Sequence, residues 1–157
     1  MRLPGRGAPY VGVPPADGAV AWDAWAAGWG GAVGLAFANA ALHRAYGEVL
    51  PELTADQLAG VLLLALVLRW TVHVEGRNPL DEPRDAALVG LAWAGATVTF
   101  ELTFGHYVNG DSWSDLLAAY DLTKGRLWLL DVVGIAAAPA IARWWNRRAP
   151  GPASAVS

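Results

Sequence analysis

QLAGVLLLALVLRWTVHV, residues 57–74, holds one charged side chain, Arg69. As a helix this stretch is roughly 30 Å long, the thickness of a bilayer core. Three further windows read the same way: 24–42, 86–104 and 127–145. Together the four windows contain only Arg69, Glu101, Asp131 and Arg143 out of 11 basic and 14 acidic residues. The runs are continuous and rich in Ala, Leu and Gly, not alternating, so strands of a barrel are a poor fit. The spacing predicts an all-α fold, a four-helix transmembrane bundle with spans about 24–42, 55–74, 86–104 and 127–145.

Composition agrees. The 157 residues are 55% apolar with a mean hydropathy of +0.31, and charged residues make up 16%. Soluble domains carry roughly 25% charged residues. Four such runs leave too little polar mass to wrap them in water. A net charge of −3 with no basic stripe excludes a nucleic-acid partner. Zero cysteines exclude a disulfide scaffold. Residues 1–18, with Pro4, Pro9, Pro14 and Pro15, read as a disordered tail, and 146–157 read likewise. The transmembrane domain is 19–145.

Basic residues set the direction. With the amino terminus inside, Arg2, Arg6, Arg69, Arg77, Arg84, Arg143, Arg147 and Arg148 lie in the cytoplasm. Arg44, Lys124 and Arg126 lie outside. Eight against three favours both termini cytoplasmic, in a multi-pass protein of the bacterial inner membrane. Trp22, Trp25, Trp70, Trp144 and Trp145 read as inner-side anchors, Trp113 and Trp128 as outer-side ones. Thr54 and Gln57 have capping-box spacing ahead of the second span. Pro139 inside the fourth span frees a carbonyl near Ile135.

The polar residues gather at one depth. Glu101 lies near the outer end of span three and Asp131 near the outer start of span four. Asn39, His43 and Arg44 close span one at that level, Asp56 and Gln57 open span two, and Arg126 precedes Asp131. Small residues share the faces: Gly28, Ala32 and Ala36 with Asn39, Gly90, Ala94 and Thr97 with Glu101, Gly134 and Ala138 with Asp131. Gly30 with Gly34 forms a GxxxG, a mark of close helix approach. Two readings stay open. The cluster is a structural ion-pair set, in which Glu101 and Asp131 pair with Arg126 and Arg44. Or it is a polar pocket in which intramembrane carboxylates bind a ligand or protons. No HExxH, CxxC or His pair at i, i+4 points to a metal, and no phosphate or dinucleotide motif points to a cofactor.

Residues 105–125, GHYVNGDSWSDLLAAYDLTKG, form the outer loop. Ser112 with Asp115 reads as a helix start. Trp113, Leu116, Leu117 and Tyr120 then recur as one apolar face of a short amphipathic helix along the membrane. It caps the bundle, or it is a lid with His106, Tyr107 and Asn109 at the entrance.

The run TFELTFGHYVNGDSWSDLLAAYDLTKGRLWLL (99–130), with LHRAYG (42–47) and LTADQLAG (53–60), resembles an uncharacterised family of small bacterial four-span integral membrane proteins. The similarity covers about residues 34–143. It marks Arg44, Gln57, Glu101, Gly105, His106, Tyr107, Gly110, Trp113, Tyr120, Gly125, Arg126 and Trp128. The chain departs from the family's pattern at Asp56, where His is expected, and at Ala119-Tyr120-Asp121, where Asp-Tyr-Asn is expected. The resemblance implies no activity. The leading functional expectation is a non-enzymatic accessory or scaffold, embedded in the lipid bilayer as a homodimer or with a membrane protein partner. The alternatives are a proton-coupled small transporter or channel acting as a homodimer, and a membrane enzyme acting on a lipid.

Overall fold

The computed structural model describes residues 19–148. It is all-helical, with no strand among the described residues. Four long helices occupy the four windows: α1 Trp22–Gly47, α2 Glu52–Arg77, α3 Pro83–Phe104 and, after a short α4 at Trp113–Ala118, α5 Trp128–Arg148. A π-turn, Gly105–Asn109, continues α3, and a 3-10 turn, Leu122–Lys124, precedes α5. Two helices, Glu52–Arg77 and Pro83–Asn109, are long and apolar enough to cross a membrane. α1, built of Ala, Gly and Trp, and α5, which carries Asp131 and Arg143, fall short of that mark.

The helix ends depart from the sequence reading for identifiable reasons. α2 begins at Glu52, one residue after Pro51, whose extended ψ of 140° sets the start. Thr54 and Gln57 are therefore inside the helix and make no capping box. α5 runs on through the buried Pro139 to Arg148. Asn146, Arg147 and Arg148, expected in a disordered tail, are thus helical. The Asn146 side chain donates to the Val72 carbonyl at 2.9 Å and to Glu75 at 2.5 Å. Residues 1–18 and 149–157, the rest of the expected tails, lie outside the described residues.

α5 is last in the chain but packs between α2 and α3, and α1 packs on α2. Missing side chains allow the approach. At Gly90 a Cβ would sit 1.9 Å from the Ala136 carbonyl oxygen of α5. At Gly31 one would sit 2.5 Å from the Trp70 ring, whose indole N–H donates to the Gly28 carbonyl at 2.7 Å. Gly30 and Gly34 have nothing within 4 Å of a built Cβ, so their GxxxG faces away from the other helices. The packing glycines of α1 are Gly28 and Gly31.

α1 and α3 meet through aromatic side chains. Trp93 donates to the Trp25 carbonyl at 3.1 Å, and Trp29 donates to Thr97 Oγ1 at 3.1 Å. Trp25 is 1% exposed, a core residue and not the interface anchor its position suggested. These bulky spacers hold the two backbones apart and leave a cleft.

At the end opposite Glu101 and Asp131, Glu75 is buried and accepts from Asn146 and from the Leu80 N–H. Arg143 and Arg147 donate to the Leu80 and Asp81 carbonyls. This network ties α5 to the α2–α3 loop. Glu75 escapes a sequence reading because it lies one residue past the apolar window.

Candidate functional site: an apolar cleft opening into a polar chamber

Two cavities adjoin near the Glu101 end of the bundle. The first, about 290 Å³, fills the cleft between α1 and α3. Its walls are Ala32, Ala36, Phe37, Val67, Trp93 and Phe100 among others. Phe100 and Phe104, one turn apart, stack at 5.3 Å, and Phe37 meets both edge-on at 6.1 and 5.6 Å. The i, i+4 spacing of the two α3 phenylalanines is the signal that could have found this wall. The second cavity, about 360 Å³, lies between α1, α2 and α5; its walls are mostly apolar, with the polar side chains of Asn39, His43, Asp56, Glu101, Arg126 and Asp131 set into them. Ala36, Ala40, Leu63, Glu101 and Trp128 line both.

The polar residues are partnered unequally. Arg126 reaches across to Asp56 of α2 in a short ion pair and lies 3.5 Å from Glu52. His43 Nε2 is 3.3 Å from the other Asp56 oxygen. The ion-pair reading of the cluster assigned Arg126 and Arg44 to Glu101 and Asp131, and neither pairing forms. Arg126, just before α5, and Asp56, in the first turns of α2, sit at the same end of the bundle. Arg44 is exposed on the far side of α1 and has no bond to the cluster. Glu101 instead accepts from the Tyr120 hydroxyl at 2.7 Å. Asp131 is 5% exposed, and among the described residues its carboxylate has no hydrogen bond or ion pair. Its Oδ2 would be 2.7 Å from a Cβ at Gly60, so that glycine makes room for the carboxylate.

Asn39 is 6% exposed. Its Nδ2 donates to the Ala59 carbonyl at 2.9 Å, while its Oδ1 is buried without a partner. The Trp128 indole N–H is also buried without one. Gln57, inside α2, donates to the Gly125 carbonyl at 3.3 Å and holds the start of α5.

Residues 105–128 roof the cavities, but not with the face the sequence suggested. Leu116 is the buried residue of α4 and packs on Gly105, while Leu117 is 62% exposed. Tyr120 lies beyond the end of α4 and turns inward to Glu101. His106 and Tyr107 do not line either cavity. His106 Nδ1 donates to the Asp111 carbonyl at 2.9 Å and the ring stacks on Trp113 at 4.1 Å, with Tyr107 edge-on to Trp113 at 6.5 Å. A backbone carbonyl can only accept, so Nδ1 carries the proton in this bond. These three rings form an outward cluster held together by their own stacking. Asn109 does line the apolar cleft. Ser112 caps the α4 start, accepting from the Asp115 N–H at 3.2 Å. Among the described residues no three His, Asp or Glu side chains converge as metal ligands.

Outside the helices, two titrating groups are shifted. The Thr123 hydroxyl and, more weakly, Lys124 hold the partly exposed Asp121 carboxyl below its ordinary range. Burial pushes the Tyr120 phenol up to about 12, and its hydrogen bond to the Glu101 carboxylate acts in the same direction. A raised folded-state value means that Tyr120 contributes its stability below the ordinary tyrosine range and loses it as pH rises through about 12. Of the four tyrosines, Tyr120 is therefore expected to ionise late in an ultraviolet pH titration. Glu101→Gln should bring that step to lower pH, because the carboxylate charge is gone. A step that stays in place would mean that the Tyr120–Glu101 bond does not form.

No family model, curated protein or solved structure matches the chain.

Proposed function

We propose that this chain is a small four-span integral membrane protein of the bacterial inner membrane, with both termini cytoplasmic, that binds an amphiphile. The resemblance of residues 34–143 to small bacterial four-span proteins belongs to the same proposal. The ligand's chain lies in the α1–α3 cleft and its head in the chamber of Asn39, Glu101 and Asp131. The role is accessory and non-enzymatic: the protein holds or presents the molecule near the outer leaflet. One observation carries this reading. An apolar cavity and a second one into which Asn39, His43, Asp56, Arg126 and Asp131 are set, each near the lower end of the roughly 300–1,000 Å³ of small-molecule sites, share a wall at Glu101 and Trp128.

The membrane reading draws support from the outward faces. Leu58, Val61 and Leu66 of α2, Leu91 of α3 and Leu130 and Val133 of α5 are between 39% and 67% exposed. Contiguous apolar surface of this kind is rare on soluble monomers and ordinary against lipid.

Ala40, at the junction of the two cavities, is the position to fill. In bilayers doped with a lipid carrying a photoreactive group on its acyl chain, wild-type protein should label at the cleft residues of α1 and α3. Ala40→Trp should reduce that labelling about tenfold, as expected for an occluded pocket. Labelling of outward peptides around Leu91 should not change. Equal cleft labelling in both proteins would count against an amphiphile site.

A second reading, proton-coupled transport by a homodimer, is favoured by one feature: Asp131 is buried with no partner for its carboxylate. It requires pH-driven flux in liposomes that Asp131→Asn abolishes.

A further inference from the structure

Resting on the amphiphile reading above, we propose that the chamber selects a primary ammonium head group, so that the ligand is an alkylamine-type cationic amphiphile. The inference follows from which hydrogen-bonding groups the protein has left over. Arg126 is the chamber's one guanidinium, and it is occupied by Asp56 and Glu52. Asp56 also meets His43. The amide N–H of Asn39 is committed to the Ala59 carbonyl, and the Tyr120 hydroxyl to Glu101. What remains is mostly acceptor: the Asp131 carboxylate on a 5% exposed residue and the buried Oδ1 of Asn39, with the half-buried Glu101 carboxylate beside them. Two donors stand among them, Trp128 Nε1, which lies against Glu101, and His43 Nε2, which faces Asp56.

Buried acceptors without donors are costly, and buried carboxylates without a counter-charge more so. A ligand relieves both only if it brings several donors and positive charge together. An ammonium with three N–H bonds does this; a phosphate or carboxylate head would add to the uncompensated charge. An apolar exit from the chamber is the adjoining cleft walled by Ala36, Phe37 and Phe100. Hydrocarbon attached to the ammonium fits that exit, which a free inorganic cation would leave empty.

The test uses the full chain in bilayer discs and isotope-labelled dodecylamine as the probe. Wild-type protein should retain the amine saturably, and unlabelled dodecylamine should displace it. Dodecanol, which keeps the chain without the charge, and methylamine, which keeps the charge without the chain, should each need at least about tenfold more to compete, the equivalent of one well-formed charged contact. Asp131→Asn should weaken retention by about the same factor, and Asp115→Asn, an exposed carboxylate on α4, should not. Where Asp131→Asn fails to fold by circular dichroism, Glu101→Gln serves as the second variant, with the same loss expected. Dodecanol competing as well as the amine overturns the ammonium inference and leaves the amphiphile reading standing. Methylamine competing as well as dodecylamine overturns the link between chamber and cleft. Retention unchanged in the folded carboxylate variant overturns the assignment of the head to this chamber. No saturable retention of either dodecyl compound overturns both readings.

Discussion

Gly90→Ala is expected to break the closest helix contact in the molecule. The added methyl would fall 1.9 Å from the Ala136 carbonyl oxygen. That neighbour is backbone, inside a helix, and has no rotamer to change. α3 and α5 must therefore move apart along the length they share. Overpacking a tight interior typically costs about 1–3 kcal/mol and occasionally more, and a backbone neighbour places this site at the upper end. The loss matters for the site as well, because α3 carries Glu101 and α5 carries Asp131. Gly95→Ala is the matched control, on the same helix with nothing within 4 Å of the new methyl. Helix propensity alone favours alanine there by up to about 1 kcal/mol. Unfolding of both variants in one detergent, followed by circular dichroism, should show Gly90→Ala destabilised and Gly95→Ala at or above wild type. A Gly90→Ala protein as stable as wild type would mean the α3–α5 approach is wrong.

Trp93→Ala is expected to be comparably severe for a different reason. Trp93 is 3% exposed, packs edge-on against Trp25 at 5.6 Å and donates to the Trp25 carbonyl. It is one of the rings that tie α3 to α1. Deleting a buried Trp leaves a cavity at a cost of about 3–5 kcal/mol. In lipid the transfer part of that cost shrinks, because hydrocarbon on either side is alike, and lost packing dominates. The cleft next to Trp93 should then collapse or widen. Trp93→Phe keeps the ring but drops the N–H donor, so it should fall between wild type and Trp93→Ala in the same unfolding series. If Trp93→Ala costs nothing, α1 is not held to α3 through this ring.

The helices were legible from the sequence because each apolar run is long and unbroken, and α1, α2, α3 and α5 fall on the four windows. Their ends were less so. Pro51 starts α2 ahead of the apparent Thr54 cap, and side-chain bonds from Asn146 carry α5 past the last apolar residue. Height along the bundle was readable too: Asn39, Glu101, Arg126 and Asp131 line one cavity, and Gln57 bonds to the Gly125 carbonyl beside Arg126. Rotation about each helix axis and lateral neighbours were not. Position along a chain gives height, but which arginine meets which carboxylate depends on helix order, and α5 inserts between α2 and α3. That insertion sends Arg126 to Asp56 and leaves Asp131 alone. The same lack of azimuth hid the outward turn of Gly30 and Gly34, the exposure of Arg44 and the inward turn of Tyr120. In the loop, Trp113 and Leu116 share a helical face by spacing, but only Leu116 finds a gap to fill, at Gly105.

The central claim is that all four long helices cross a membrane, with the Glu101–Asp131 chamber toward the outside. The chain has no cysteine, so single cysteines introduced at Glu48, Asp81 and Lys124 report the three connections without background. Each variant is expressed in a bacterial host and treated, as intact cells, with a membrane-impermeant maleimide. Labelling of Glu48→Cys and Lys124→Cys in intact cells, with Asp81→Cys reacting only after lysis, is the expected result. Protein recovered in the soluble fraction, or Asp81→Cys labelled in intact cells while Glu48→Cys and Lys124→Cys are shielded, would contradict it.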